Sequence, residues 1–254
     1  MVKFLYSGNV VYNNWNFLEF CSTPLRNGTT DEYDNCDYYT GGIIDGQGLY
    51  VTRNNQTYTH GRMRFENNIA FNNGFGGVVY HKTDRGELIN NLVFMNGAYP
   101  GLSNYTGLTV NTSDDLIIRN NIVWARESDD YALKNNGNAS NVIATHNYVV
   151  GTSQFGSAQD NSIIAFEDAE DFSIFFQNVN DISSAHPDPL ATNGDYAPAN
   201  IDALIQSYQL DFYPLTTAVE LIDAGTSLDA PKLAIDNVLR PQGQGVDIGP
   251  YELP

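Results

Sequence analysis

Positive charge is scarce in this chain of 254 residues, with 12 Lys and Arg against 30 Asp and Glu and a formal net charge of −18. Such a surface repels nucleic acid and anionic membranes on average, so neither is expected as a partner. Runs of 18 or more apolar residues are missing, which excludes a membrane-spanning helix from the expected structure. The first 16 residues also lack the basic start, apolar middle and small-residue cleavage site of a secretory signal. Because a repeat already begins at Ser7, with no room for a cap, the natural precursor is expected to carry a leader or further repeats upstream. Cysteine occurs only as Cys21 and Cys36. Either the two close a loop, worth roughly 3 kcal/mol in the chain-entropy treatment and suited to an extracellular protein, or they are separate thiols. No Cys/His spacing resembles a zinc site, so His60, His81, His146 and His186 carry no metal signal by pattern.

What the chain does have is an internal repeat. The stretch FENNIAFNNGFGGVVYHKTDRGELINNL, starting at Phe65, runs through an Asn pair, an apolar triplet, a turn, a second apolar run, a charged corner and the next Asn pair. It is echoed by SGNVVYNN from Ser7, INNLVFMN from Ile89, RNNIVWAR from Arg119 and THNYVVGT from Thr145. Asn9, Asn68, Asn91, Asn121 and Asn147 align at steps of 59, 23, 30 and 26 residues, the first covering two coils with an insertion. A second line aligns Gly48 to Val51, Gly77 to Tyr80, Gly107 to Val110, Asp130 to Leu133 and Ser162 to Ala165.

The apolar segments are short, rich in β-branched and aromatic residues, and bounded by Asn, Gly, Ser or Asp, which is strand chemistry rather than helix chemistry. Strands this short bury nothing alone, so successive units must stack, pairing in parallel about 4.8 Å apart around a shared core. The expected fold is all-β, a single right-handed parallel β-helix, its hand taken from the chirality of parallel crossovers. Residues 1–182 form the coils, with an acidic insertion at 16–40. Residues 183–254, dense in Pro and Gly, form a C-terminal extension of the same domain packed on the flank or end. The Asn column is read as structural, with Asn tolerating the left-handed backbone region and its amide bonding to the next coil. Tyr12, Phe71, Phe94 and Trp124 are read as a packed aromatic stack before a sugar platform.

At DGQGLYV, FENNIAFNNGFGGVVYHK and the closing LIDAG and IDNVLRPQGQGVDIGPYE, the chain resembles bacterial secreted right-handed parallel β-helix proteins of the pectate-lyase-like, polysaccharide-lyase group. That resemblance covers most of the chain and implies a secreted or cell-surface protein acting on polysaccharide. In the family-nine lyases of that group, an Asp-Gly coil supplies a calcium ligand, the next coil an acidic cluster, and a further coil a Lys base. Asp45-Gly46 matches the first element. Asn72-Asn73-Gly74-Phe75 stands where the acidic cluster belongs, and residues 106–109 hold no Lys.

The few cations concentrate in the central coils: Arg53, Arg62, Arg64, Lys82, Arg85, Arg119, Arg126 and Lys134. The repeat alignment places Thr52, His81, Asn111 and Lys134 in one column, and Arg53, Lys82, Thr112 and Asn135 in the next. Cleavage of a uronate polymer by β-elimination needs a cation on the carboxylate, a base for the C5 proton and an acid for the leaving oxygen. His81, Lys82 and Arg85 are the catalytic candidates, with His81 or Lys82 as base. Arg53, Lys134, Arg126 and Tyr105 are substrate-binding candidates. The competing reading makes the same cations solvated corner residues paired with Asp84 and Glu87.

Asp34 and Asp37, in the acidic insertion that also holds Asp31 and Glu32, together with Asp45 of the following Asp-Gly coil, are the candidate oxygen ligands of a Ca²⁺ ion. No organic cofactor is expected, and the chain is read as a monomer or weak homo-oligomer. Two other functions stay open: a non-catalytic carbohydrate-binding or adhesion module using exposed tyrosines, and a glycoside hydrolase using paired carboxylates such as Asp45 with Asp84 or Asp129 with Asp130.

Overall fold

The computed structural model describes residues 2–14, 46–55, 60–97, 107–155, 161–165, 168, 172–176 and 212–254. The acidic insertion, both cysteines, Tyr105 and the Asp34, Asp37 and Asp45 set lie outside the described residues.

The chain winds through successive three-strand coils. The first coil holds β1 (Val2–Ser7), β2 (Val10–Tyr12) and β3 (Leu49–Thr52), and the second β4 (Arg62–Glu66), β5 (Ile69–Phe71) and β6 (Val78–His81). The third holds β7 (Gly86–Ile89), β8 (Leu92–Phe94) and β9 (Leu108–Asn111), and the fourth β10 (Asp114–Arg119), β11 (Ile122–Trp124) and β12 (Tyr131–Asn136). The fifth holds β13 (Ser140–Thr145), β14 (Tyr148–Val150) and β15 (Thr152–Ser153), and β16 (Ser162–Ile164) begins a sixth. Every third strand pairs in parallel, giving a five-stranded first sheet from β1 to β13, a six-stranded second sheet from β2 to β16 and a five-stranded third sheet from β3 to β15. This is a parallel β-helix.

The repeat read from sequence has two strand lines per coil, whereas the structure has three. The missing line is the first sheet, whose segments read as charged corners. Its inward residues Phe65, Leu88, Ile118 and Ala144 are buried in the core, while the outward ones include Arg62, Arg64, Glu87 and Arg119. Those charges are paired with one another: Arg62 with Glu87 and Asp115, Arg64 with Glu66 and Glu87, and Arg119 with Asp229. Ion pairing let the sequence carry charge on a nearly buried strand, which masks its alternation. A second correction concerns residues 162–165. Residues 162–164 of this segment belong to the second sheet, pairing with β14, because Asn161 takes the ladder position only 14 residues after Asn147.

The Asn ladder is continuous. Asn9, Asn68, Asn91, Asn121 and Asn147 each donate both the backbone N–H and the side-chain Nδ2 to the Oδ1 of the next Asn, ending at Asn161, with N···O distances of 2.8 to 3.1 Å. A second, shorter ladder joins Asn14, Asn73 and Asn96 at the corner between the second and third sheets. The left-handed backbone is not adopted by the ladder residue itself. It falls on the residue before: Gly8 (φ 69°), Asn67 (52°), Asn90 (54°), Asn120 (54°) and His146 (55°). The two properties that make Asn useful at a corner are thus divided between the two members of each pair.

In the second sheet the middle residues Ala70, Val93, Val123 and Val149 face the coil interior. Their flanking neighbours, including Phe71, Phe94, Trp124 and Tyr148, face outward and are nevertheless buried, because Phe175, Phe176, Phe212, Leu221, Ile248 and Tyr251 cover them. Phe212 packs 5.1 Å from Phe71 and 5.4 Å from Phe94, and Phe175 lies 5.8 Å from Trp124. The aromatic stack is therefore a buried seam between the coils on one side and residues 172–176 with the extension on the other. The left-handed Asn column fastens the same extension: Asn67 donates to the Leu233 carbonyl, Asn90 to those of Asp247 and Gly249, and Asn120 to that of Thr226.

Candidate functional site

The third sheet has no extension packed along it among the described residues, and its outer surface carries the sequence-derived candidates. Inward side chains such as Val51, Tyr80, Val110 and Leu133 fill the core. The outward residues form two register lines: Tyr50, Val79, Thr109 and Lys134, of which only Tyr50 is exposed and the other three are buried, then the partly exposed Thr52, His81, Asn111 and Asn136. This corrects the repeat alignment: Lys134 is opposite Thr109, and Asn136 stands opposite Asn111. The six-residue β12 begins before the four-residue β9, so the true register is two residues away. A slip of two preserves the inward and outward faces, so hydrophobic patterning did not expose it.

The tightest polar grouping on this surface is His81 with Tyr50 and Thr52. Tyr50 Oη lies 2.8 Å from His81 Nδ1 and Thr52 Oγ1 lies 3.3 Å from it. The two rings stack with centroids 6.2 Å apart, and Tyr50 is 46% exposed. Partial burial, reinforced by the charges of Lys82 and Arg53, lowers the His81 pKa below its ordinary 6.5. The imidazole is therefore neutral at neutral pH, the state a proton acceptor requires.

Lys82 and Arg53 owe their place to the corner following the third sheet. Arg53 (φ 58°), Lys82 (48°), Thr112 (48°) and Gly137 (74°) all take the left-handed conformation there. The N–H of Arg53 donates to the His81 carbonyl at 3.0 Å, and that of Lys82 to the Asn111 carbonyl at 2.8 Å. Both side chains are exposed and lie one strand apart, about 4.8 Å in backbone spacing. They form a cationic rim beside His81 on an otherwise acidic protein.

Arg85 and Arg126 lie elsewhere, and Lys134 is on the third sheet but away from His81. Arg85, also left-handed, donates Nε–H to the Gly61 carbonyl at 3.2 Å and sits 4.0 Å from Asp115, so its guanidinium engages the first sheet. Of the acids expected to pair with these cations, Glu87 is held by Arg62 and Arg64 instead, and Asp84 accepts the Asp114 N–H. Arg126 is at a different corner, donating to Asn72 Oδ1 and to the Met95 and Asn96 carbonyls, and burial lowers its pKa. Lys134 is largely buried, its ammonium 4.5 Å from the Tyr131 ring centroid, and burial lowers its pKa too. Beside it the Thr109 hydroxyl is buried with no hydrogen-bond partner. Among the described residues, no group of three or more His, Cys, Asp or Glu side chains stands together as a metal site. No helix among them is long and apolar enough to cross a membrane.

Tyr50 was the residue missed by sequence reasoning. Its signal was present in the period-two alternation of LYVT, which puts Tyr50 and Thr52 on one side, and in the alignment of Thr52 with His81, which the structure keeps; the contact itself is diagonal, between residues the alignment does not set opposite one another. Comparison of the chain with protein-family models and with curated proteins gives no match.

Proposed function

We propose that this β-helix is an extracellular polysaccharide-active protein that cleaves a uronate-containing polymer by β-elimination on the outer surface of its third sheet. The observation that carries this reading is the Tyr50–His81 pair, 2.8 Å apart and flanked by exposed Arg53 and Lys82. In the tautomer in which His81 Nδ1–H donates to Tyr50 Oη, Nε2 holds the lone pair that accepts the C5 proton. Tyr50 keeps its own O–H to donate to the departing O4. The C4–O4 bond breaks, a C4=C5 double bond forms, and the sugar carboxylate stays neutralised by Arg53 and Lys82. Preorganised cations where charge develops contribute as oxyanion donors do in acyl transfer. A Ca²⁺ held by Asp34, Asp37 and Asp45 would reduce repulsion between the acidic chain and a polyanion.

The test is incubation with alginate and polygalacturonate while following the ultraviolet absorbance of the unsaturated product. Wild type is expected to generate it, and His81→Ala to reduce the rate by roughly 100-fold or more, the usual contribution of a positioned acid or base. Binding without product by wild type would overturn the lyase reading in favour of a carbohydrate-binding module.

A further inference from the structure

On the side of the coil away from His81, between the first coils and the extension, lies a groove of 380 Å³. It opens where the left-handed column loses its side chain. Asn67, Asn90 and Asn120 each reach from that column to a carbonyl of the extension, but the first coil has Gly8 at the same place, at φ 69°. A Cβ built on Gly8 would meet nothing within 4 Å. The space left is lined by Gly8, Glu66, Asn67, Lys232, Leu233 and Asn237.

The lining is polar and balanced. Glu66 supplies carboxylate acceptors already steadied by Arg64, Lys232 and Asn237 are exposed polar groups, and Leu233, 42% exposed, offers an apolar shoulder. One carboxylate against one ammonium favours neither an anionic nor a cationic ligand. Mixed donors and acceptors around an apolar shoulder suit a hydroxylated ring, whose edge hydrogen-bonds while its C–H face packs, and the volume lies within the usual range for small-ligand sites. We propose that this groove is a second carbohydrate site, taking a neutral sugar unit, separate from the uronate surface on the third sheet.

Gly8→Asn tests it directly, because Asn tolerates the left-handed region, restores the side chain the column has elsewhere, and adds bulk at a residue that lines the groove. Saturation-transfer NMR with glucose, galactose, mannose and xylose, each offered to the full chain, is expected to show transfer to at least one of them. Gly8→Asn should weaken that sugar's binding at least tenfold, and Lys232→Ala, at an exposed position, should weaken it several-fold, with both variants retaining the wild-type melting temperature within about 2 °C. Binding by wild type of none of the four sugars, equal binding by Gly8→Asn, or stronger transfer to glucuronate than to any neutral sugar would each overturn the proposal. His81→Ala should leave this binding unchanged, so failure here and failure of the lyase reading are distinguishable.

Discussion

Among the described residues, the left-handed positions separate those that serve the coil from those that serve something else. Asn and Asp hold most of the non-glycine corners, including Asn13, Asn67, Asn72, Asn90 and Asn120, since their short polar side chains suit the conformation. Arg53 and Lys82 occupy equivalent corners without that advantage. Replacing Lys82 by Asn is therefore expected to leave the melting temperature unchanged or slightly raised, by up to about 1 kcal/mol of stability, while uronan turnover falls at least tenfold. A thermal melt run beside the absorbance assay separates the two effects.

The His81 pKa is pushed down by burial and by the same two cations, so the acid limb of the rate profile should lie below pH 6.5. The limb should move upward in Lys82→Asn, because one repulsive charge is gone. A neutral base is lost as pH falls through its folded pKa, which fixes the sign. His81 and the cationic rim were legible as a polar strand exit. Tyr50 was not, because its contact with His81 is diagonal, whereas the repeat alignment, which sets Thr52 opposite His81 as observed, compares only residues directly across from one another.

Strand lines with an apolar triplet and an Asn pair could be read directly, since short β-branched runs between Asn turns have few other uses. The first sheet escaped because Arg62, Arg64, Glu66 and Glu87 alternate with Met63, Phe65 and Leu88, and charge on a nearly buried strand becomes intelligible only once its partners across coils are known. Glycine in the third-sheet line has a clear cause as well: a Cβ on Gly107 would lie 1.8 Å from the Ala132 carbonyl oxygen. The ladders make a sharper prediction about elements. Asn91 is fully buried, accepts two hydrogen bonds from Asn68, and donates to Asn121 and to the Phe65 carbonyl. Asn91→Ala leaves several buried partners unpaired at about 1–3 kcal/mol each, so a loss of 3 kcal/mol or more is expected. Asn14, exposed at the end of the second ladder, should cost about 1 kcal/mol or less when changed to Ala. Denaturant midpoints for the two variants would measure the contrast.

For the whole molecule, the extension closes one side of the helix, and among the described residues it does not pack on the third sheet. Its closing RPQGQGVDIGPYE forms a buried clasp in which Arg240 donates to Asn67 Oδ1 and to the Gly249 and Tyr251 carbonyls, and lies 3.8 Å from Glu252. Asp247 accepts the Asp223 and Leu253 N–H groups, and Glu252 those of Gln242 and Asp247. Arg240→Ala strands the Glu252 carboxylate and should cost about 3–5 kcal/mol by denaturant unfolding.

Burial raises the pKa of both Asp247 and Glu252. The fold thus favours their protonated forms. The stability they contribute is fully present below the ordinary carboxylate values of 3.8 and 4.5 and is lost as pH rises through the elevated folded values. Wild type should accordingly gain stability relative to Glu252→Gln as pH is lowered from neutral, a comparison that cancels the other titrating groups. The Pro and Gly density of this tail was visible in sequence, whereas its role as a cover for Phe71, Phe94 and Trp124 was not, since each closes a wholly apolar triplet with no polar residue to mark an outward face.

The most direct measurement is a crystal structure of the His81→Ala variant soaked with an oligouronate. The expected result places a sugar carboxylate against Arg53 and Lys82, with C5 facing the space vacated by the imidazole and O4 near Tyr50 Oη. An oligouronate bound on any other face of the helix, with the Tyr50 surface bare, would contradict the assignment of function to the third sheet.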